Sequence, residues 1–204
     1  PLLTVFRTHF AAVVLGTVIA VTTFLLFYLL TVFCLSWGTG KLGYTRETFL
    51  VIQMISVVFF ALTIPLSAVL ADRHGRRFIL MLVTTGIAAF GLVLGPLFNA
   101  GETGVMLAMI LGFSMMGMTY GPLGTLLSEL FPTTVRYTGC SMSFNLAGIF
   151  GASLAPSLAT CLATRYGLPA VGYYLVAACL LTWVALWLSR ETRESAFAEE
   201  SPVI

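Results

Sequence analysis

Charge is what this chain has least of. Asp, Glu, Lys and Arg together make up 9% of it, where a soluble domain carries roughly a quarter, so it cannot cover a globule with the usual ionised surface. Histidine is nearly absent as well. His9 and His74 are separated by long apolar runs and neither is paired with an acid, which excludes a Ser-His-Asp site and a zinc-protease helix. The four cysteines, Cys34, Cys140, Cys161 and Cys179, lack metal-ligand spacing and sit among apolar residues. They read as small packing residues, and neither a metal nor a cofactor is expected. No basic stripe with interleaved aromatics is present, which excludes nucleic acid as a partner. Nothing in this inventory suggests an enzyme.

Apolar runs take the place of charge. Hydrophobic residues are 59% of the chain, and the mean hydropathy is +1.01. Six stretches, 10–40, 48–71, 78–101, 103–128, 137–164 and 166–189, contain no charge, and each exceeds the ~20 residues a helix needs to cross a bilayer. Barrel strands are ~10 residues of alternating polarity, so a barrel is excluded. The expected fold is all-α: a six-helix transmembrane bundle over 1–189, with helices at about 10–33, 48–70, 78–98, 104–128, 139–164 and 169–189, then a polar tail over 190–204. Membrane lipid is the first partner. The run after Arg7 is too long for a signal-peptide core. A chain that opens on Pro1 rather than Met is expected to be part of a longer one.

Lys and Arg in short connections mark the cytoplasmic side. Arg7, Arg73, Arg76, Arg77, Arg136, Arg190 and Arg193 fall on one side, against Lys41, Arg46 and Arg165 on the other. Both termini are therefore expected in the cytoplasm, in a plasma or inner membrane.

The helices differ in what they carry. The third and sixth are almost purely apolar, with Trp183 and Trp187 near the cytoplasmic interface, and read as supports facing lipid. The first carries Thr17, Val21, Phe24, Tyr28 and Thr31 on one stripe, the second Gln53, Ser56, Phe60 and Thr63, and the fifth Thr138, Ser141, Asn145, Gly148 and Ala152. Polar stripes in a bilayer turn towards protein or a water-filled cavity. In the fourth helix Gly117 and Gly121 form a small-xxx-small face, as do Ala147, Gly151 and Ala155 in the fifth. Pro122 is expected to bend the fourth helix near its cytoplasmic end. Tyr28, Gln53 and Asn145, with Ser114 on the flexible fourth helix, are the candidate substrate contacts; each could equally serve helix packing.

Two charged loops remain. In the first, Asp72 leaves the second helix, Gly75 allows a turn, and Arg76 and Arg77 open the third, the wrong end of a helix dipole for cations. Something else must hold them, and Asp72, Glu129 and the tail glutamates are the candidates. Leu70-Ala71-Asp72-Arg73, Gly75-Arg76-Arg77 and Leu80, with Ala68 in place of the usual leading Gly, resemble the signature loop of the major facilitator superfamily, in the copy between its eighth and ninth helices. The second loop, Glu129-Leu130-Phe131-Pro132-Thr133 with Arg136 and Gly139, resembles the one between the tenth and eleventh. Continued through Val135 to Gly139, Asn145 to Gly148 and Ala155-Pro156, it is similar to the metabolite:proton symporter family.

That resemblance implies the C-terminal half of a twelve-helix carrier, with the N-terminal six-helix bundle missing and small-molecule metabolites and protons as further partners. The expected activity is proton-coupled symport of an organic acid or zwitterion by alternating access, cargo binding between the bundles. No acid or histidine falls within a span, so the proton site is expected in the other half. Asp72, Arg76, Arg77, Glu129 and Arg136 are expected to form a cytoplasmic gate. The rival readings are a sugar-porter-type carrier and a self-contained six-helix homodimeric pore or scaffold.

Overall fold

The computed structural model describes residues 7–189, and among these it is entirely helical. Six helices are long and apolar enough to cross a membrane: α1 (Phe10–Gly40), α2 (Arg46–His74), α3 (Arg76–Asn99), α4 (Gly101–Glu129), α5 (Arg136–Tyr166) and α6 (Leu168–Leu188). This is a multi-pass membrane bundle. The expected tail, with Arg190, Arg193 and its four glutamates, lies outside the described residues.

Local chemistry fixes the helix ends. Thr45 caps α2, its hydroxyl accepting from the Thr48 amide at 3.2 Å, and Glu47 complements the helix dipole in the first turn. Gly75 links α2 to α3 at φ 100°, a conformation that side chains with a Cβ resist. Helix α1 runs beyond the expected end at 33. It passes through a π turn at Leu29–Phe33 and continues as Cys34–Gly40, where Thr39 donates back to the Leu35 carbonyl and Trp37 stacks on Phe33. Helix α4 continues through Pro122 to Glu129.

The bundle is built from three intimate pairs, α1 with α5, α2 with α4, and α3 with α6. Exchanging α1 with α4, α2 with α5 and α3 with α6 maps this pairing onto itself, as an inverted repeat of two three-helix units requires. Absent side chains make the contacts close. A Cβ on Gly117 would overlap the Thr63 hydroxyl and approach the Phe60 carbonyl at 2.5 Å; one on Gly121 would overlap the Ser67 hydroxyl and approach the Ile64 carbonyl at 2.7 Å. Gly91 meets the Gly172 carbonyl in the same way. Helix α1 is the hub: Gln53 of α2, Thr119 of α4, Ser143 of α5 and Thr182 of α6 each share a hydrogen bond with it.

Gly117→Ala and Gly121→Ala should each destabilise the solubilised protein by about 1–3 kcal/mol, because backbone carbonyls of α2 must move aside. Gly124→Ala, with no neighbouring atom within 4 Å, should not. Thermal melting in detergent compares the three, and equal melting would mean that α2 and α4 do not touch at these glycines.

Candidate functional site

Helices α1 and α5 diverge around a groove of about 460 Å³, lined by Phe24 and Tyr28 from α1 and by Phe144, Asn145, Gly148, Ile149 and Ser153 from α5. Its base belongs to a chain of rings. Phe24 meets Phe144 edge to face at 4.8 Å, Phe144 lies 6.4 Å from Tyr120, and Tyr120 lies 5.8 Å from Phe60. Four helices, α1, α5, α4 and α2, thus contribute one aromatic each. Such pairs add about 0.5–1.5 kcal/mol beyond the area they bury, so they hold the four helices in step.

Phe144 and Asn145 also border a second cavity of about 520 Å³, which runs towards the arginine-bearing end past Ser141, Cys140, Tyr137, Arg136, Thr133 and Ser128. The two cavities form one path along α5. Among the described residues Arg136 is the charged residue lining it, and no carboxylate or histidine does so. A third cavity, of about 950 Å³ between α1 and α6, is almost wholly apolar, with Glu129 and Ser189 at its border.

The four candidate contacts divide into two groups. Tyr28 and Asn145 share the groove. The Tyr28 hydroxyl has no partner among the described residues. Asn145 donates from Nδ2 to the Ser141 carbonyl at 2.7 Å and to its hydroxyl at 3.4 Å, leaving Oδ1 open to a donor. Gln53 and Ser114 do not line the groove. Gln53 is buried against α1, giving Nε2 to the carbonyls of Leu30 and Thr31, and Ser114 donates to the Ile110 carbonyl one turn back in its own helix. Tyr120, Phe144 and Ser153 were not singled out from the sequence. The four-residue spacing of Ser141, Asn145, Ile149 and Ser153 carries the signal for Ser153.

At the arginine-bearing end, Arg76 lies between Asp72, at 3.5 Å, and Glu129, which it contacts directly. The Glu129 side chain is 15% exposed and that of Asp72 68%, so the pair with Glu129 is the desolvated and stronger one. Arg77 and Arg136 take a different course from Arg76, each turning to a backbone carbonyl. Arg77 donates from Nη2 to the Trp187 carbonyl at 2.9 Å, in the last turn of α6, where orphan carbonyls and the negative end of the dipole both favour a cation. Arg136 donates from Nε to the Phe131 carbonyl at 3.3 Å. Phe131 itself is fully buried, and its ring occupies the space where a Cβ on Gly139 would stand. The Phe and Gly of this loop are therefore a packing pair.

The sequence matches the family model described as Sugar (and other) transporter over residues 2–203. This chain belongs to the major facilitator superfamily. It is 45% identical over 202 residues to the inner membrane metabolite transport protein YhjE of Escherichia coli K12, covering 96% of the chain and 46% of that protein. It is 31% identical to the shikimate transporter of the same strain, covering 82% of the chain and 39% of the relative. With a citrate-proton symporter of Salmonella typhi it shares 30% identity, covering 90% of the chain and 44% of the relative. The chain spans about half the length of the curated relatives it matches. The family consists of transporters rather than enzymes.

Within the facilitator signature loop, the pairing distinguishes neighbouring arginines. Arg76→Gln should cost about 1–3 kcal/mol, between an exposed and a buried ion pair, because the partly buried Glu129 loses its direct contact with a cation. Arg73→Gln, at an exposed position, should stay within about 0.5 kcal/mol of the unaltered protein. A double-substitution cycle on Arg76 and Glu129, read by melting in detergent, should return a coupling of about 1–3 kcal/mol; strict additivity would reduce the pair to two independent charges.

Proposed function

We propose that this chain is one of two bundles of a secondary active transporter that moves a small organic acid or zwitterionic metabolite by alternating access, coupled to protons. The observation that carries the reading is the groove along α5. It has aromatic walls, an unpartnered hydroxyl at Tyr28 and an open acceptor at Asn145, and its one lining charge is Arg136. A few directed polar groups in an otherwise apolar cleft is the usual make-up of a small-molecule site. The cation favours an acid over a sugar. The relatives whose names specify shikimate and citrate support the same class.

The second bundle would come from the half of the relatives' length that this chain does not span, and the groove would close against it. The proton site belongs to that half in this reading, since no carboxylate or histidine lines the groove. Positive-inside counting supports both termini in the cytoplasm. The Asp72, Arg76 and Glu129 cluster then sits at the inner end, where with Arg77 and Arg136 it would act as a gate, closed when the cargo path opens outward.

In the full-length carrier, reconstituted in liposomes with an imposed pH gradient, uptake of shikimate or citrate should be saturable and gradient-driven. Tyr28→Phe and Asn145→Ala should each raise KM about three- to tenfold, the worth of one hydrogen bond, with membrane expression unchanged. Residues 1–204 reconstituted alone should show no saturable uptake, and uptake by that fragment would refute the two-bundle reading.

A further inference from the structure

Gln53 is an amide in the middle of an apolar span, 9% exposed, and both of its N–H groups go to another helix's backbone. They reach the Leu30 carbonyl at 2.9 Å and the Thr31 carbonyl at 3.1 Å, adjacent groups inside the π turn Leu29–Phe33 of α1. A π turn replaces i→i+4 bonds with i→i+5 bonds, and in α-helices it is rare and frequent at functional sites. Here the turn has two fastenings. Thr31 donates its hydroxyl back to the Phe27 carbonyl, just before the turn, at 2.7 Å, and Gln53 takes the Leu30 and Thr31 carbonyls within it. Tyr28, which lines the groove, is the residue immediately before the turn.

The wide turn also settles which side chains of α1 go where. Leu25 and Leu26, Leu29 and Leu30, and Phe33 and Cys34 are all buried, at intervals of four residues. A regular helix repeats every 3.6 residues, so over this stretch its buried face would drift off the core. One extra residue in a turn absorbs the drift. If the turn relaxed to regular α-helix, everything after it would rotate by about 100° against everything before it. Either Phe33 and Cys34 would leave the core, or Phe24 and Tyr28 would leave the groove. Phe33 stacks on Trp37 and is 1% exposed, whereas Tyr28 is only half-buried and its hydroxyl has no partner. Before the turn Leu25 and Leu26 are as buried as Phe33, and α1 is bonded there to α4, α5 and α6, so the side chain whose direction can change is that of Tyr28, half-buried and next to the turn.

We infer that Gln53 is a positioning residue for the groove: by holding the two carbonyls of the π turn it fixes the rotation at which Tyr28 faces the cargo path. The kinetic part rests on the proposed function, while the geometric part does not. Gln53 acts through Tyr28 without touching the cargo.

The test uses the full-length carrier with Tyr28→Cys as a reporter, labelled by a membrane-impermeant methanethiosulfonate reagent. Adding Gln53→Met, which keeps the shape of the side chain and removes the donors, should slow labelling at position 28 about tenfold. The Asn145→Cys reporter on α5 should label at the same rate with or without it. If Gln53→Met does not accumulate in the membrane, Gln53→Asn replaces it; this keeps a buried amide one methylene short of both carbonyls and should shift labelling in the same direction. Shikimate uptake provides the second arm. Gln53→Met should raise KM in the otherwise unaltered carrier and have no further effect on top of Tyr28→Phe, because the hydroxyl it positions is already gone. Unchanged labelling at position 28, or KM increases that multiply in the double variant, would overturn the inference. An unaltered carrier that takes up no acid would instead overturn the proposed function, and the labelling comparison would still decide this one.

Discussion

A bilayer interior offers no water to a polar atom, and the arrangement of this bundle follows from that deficit. Hydroxyls are spent locally: Thr17, Thr31, Ser56, Ser114 and Ser153 each donate to the carbonyl one turn back, which lets a polar residue sit in a span without a partner helix. Where hydroxyls face a neighbour they find each other, as Thr22 with Thr182 and Thr23 with Thr119 do. Among the described residues no buried side-chain nitrogen or oxygen lacks a partner. The groove between α1 and α5 is open, and there the rule for buried groups does not apply. A Tyr28 hydroxyl and an Asn145 carbonyl without partners are tolerable only where something polar can reach them.

The same medium removes the hydrophobic drive between helices, since lipid tails are as apolar as leucine, and association falls to close packing. That is why Gly117, Gly121, Gly91 and Gly172 lie at the tightest contacts and why the three helix pairs are so intimate. Interhelical hydrogen bonds in membranes average only ~0.6 kcal/mol, so those that converge on α1 orient the hub more than they hold it. Packing at the glycines supplies the hold.

How legible this was in the sequence depends on the kind of interaction. The six spans followed from charge-free runs, because in lipid a single charge is expensive and its absence over ~20 residues is nearly diagnostic. The small-residue face of α4 was legible too, since Gly117 and Gly121 sit one turn apart. The π turn was not. Burial every four residues differs from 3.6 by too little to see over residues 25–34, a run rich in leucine and phenylalanine, and nothing in α1 names Gln53 as its partner. Gln53 read equally as a cargo contact or as a bond to a neighbouring helix, and which atoms it bonds was not legible, since its targets are carbonyls, which every residue possesses. Arg77 is the same case. Its partner is the main chain at Trp187, 110 positions away, where a sequence reading looks for an acid. Side chains that bond to side chains leave a trace in the sequence, and side chains that bond to backbone leave almost none.

The charged end and the groove meet at Arg136, and their electrostatics differ for that reason. Arg76 is paired with Glu129 and Asp72, and Arg77 with the negative end of α6, while Arg73 is exposed to solvent. Among the described residues Arg136 has a single bond, to a neutral carbonyl, and it lies at the N-terminus of α5, where the helix dipole adds to its positive charge. Among the described residues no carboxylate lines the path beyond it. In a cleft with low-dielectric walls such an uncompensated cation extends its potential along the groove instead of losing it to water. An anionic group entering there would supply the missing counter-charge, whereas a neutral molecule of the same shape would gain only the rings.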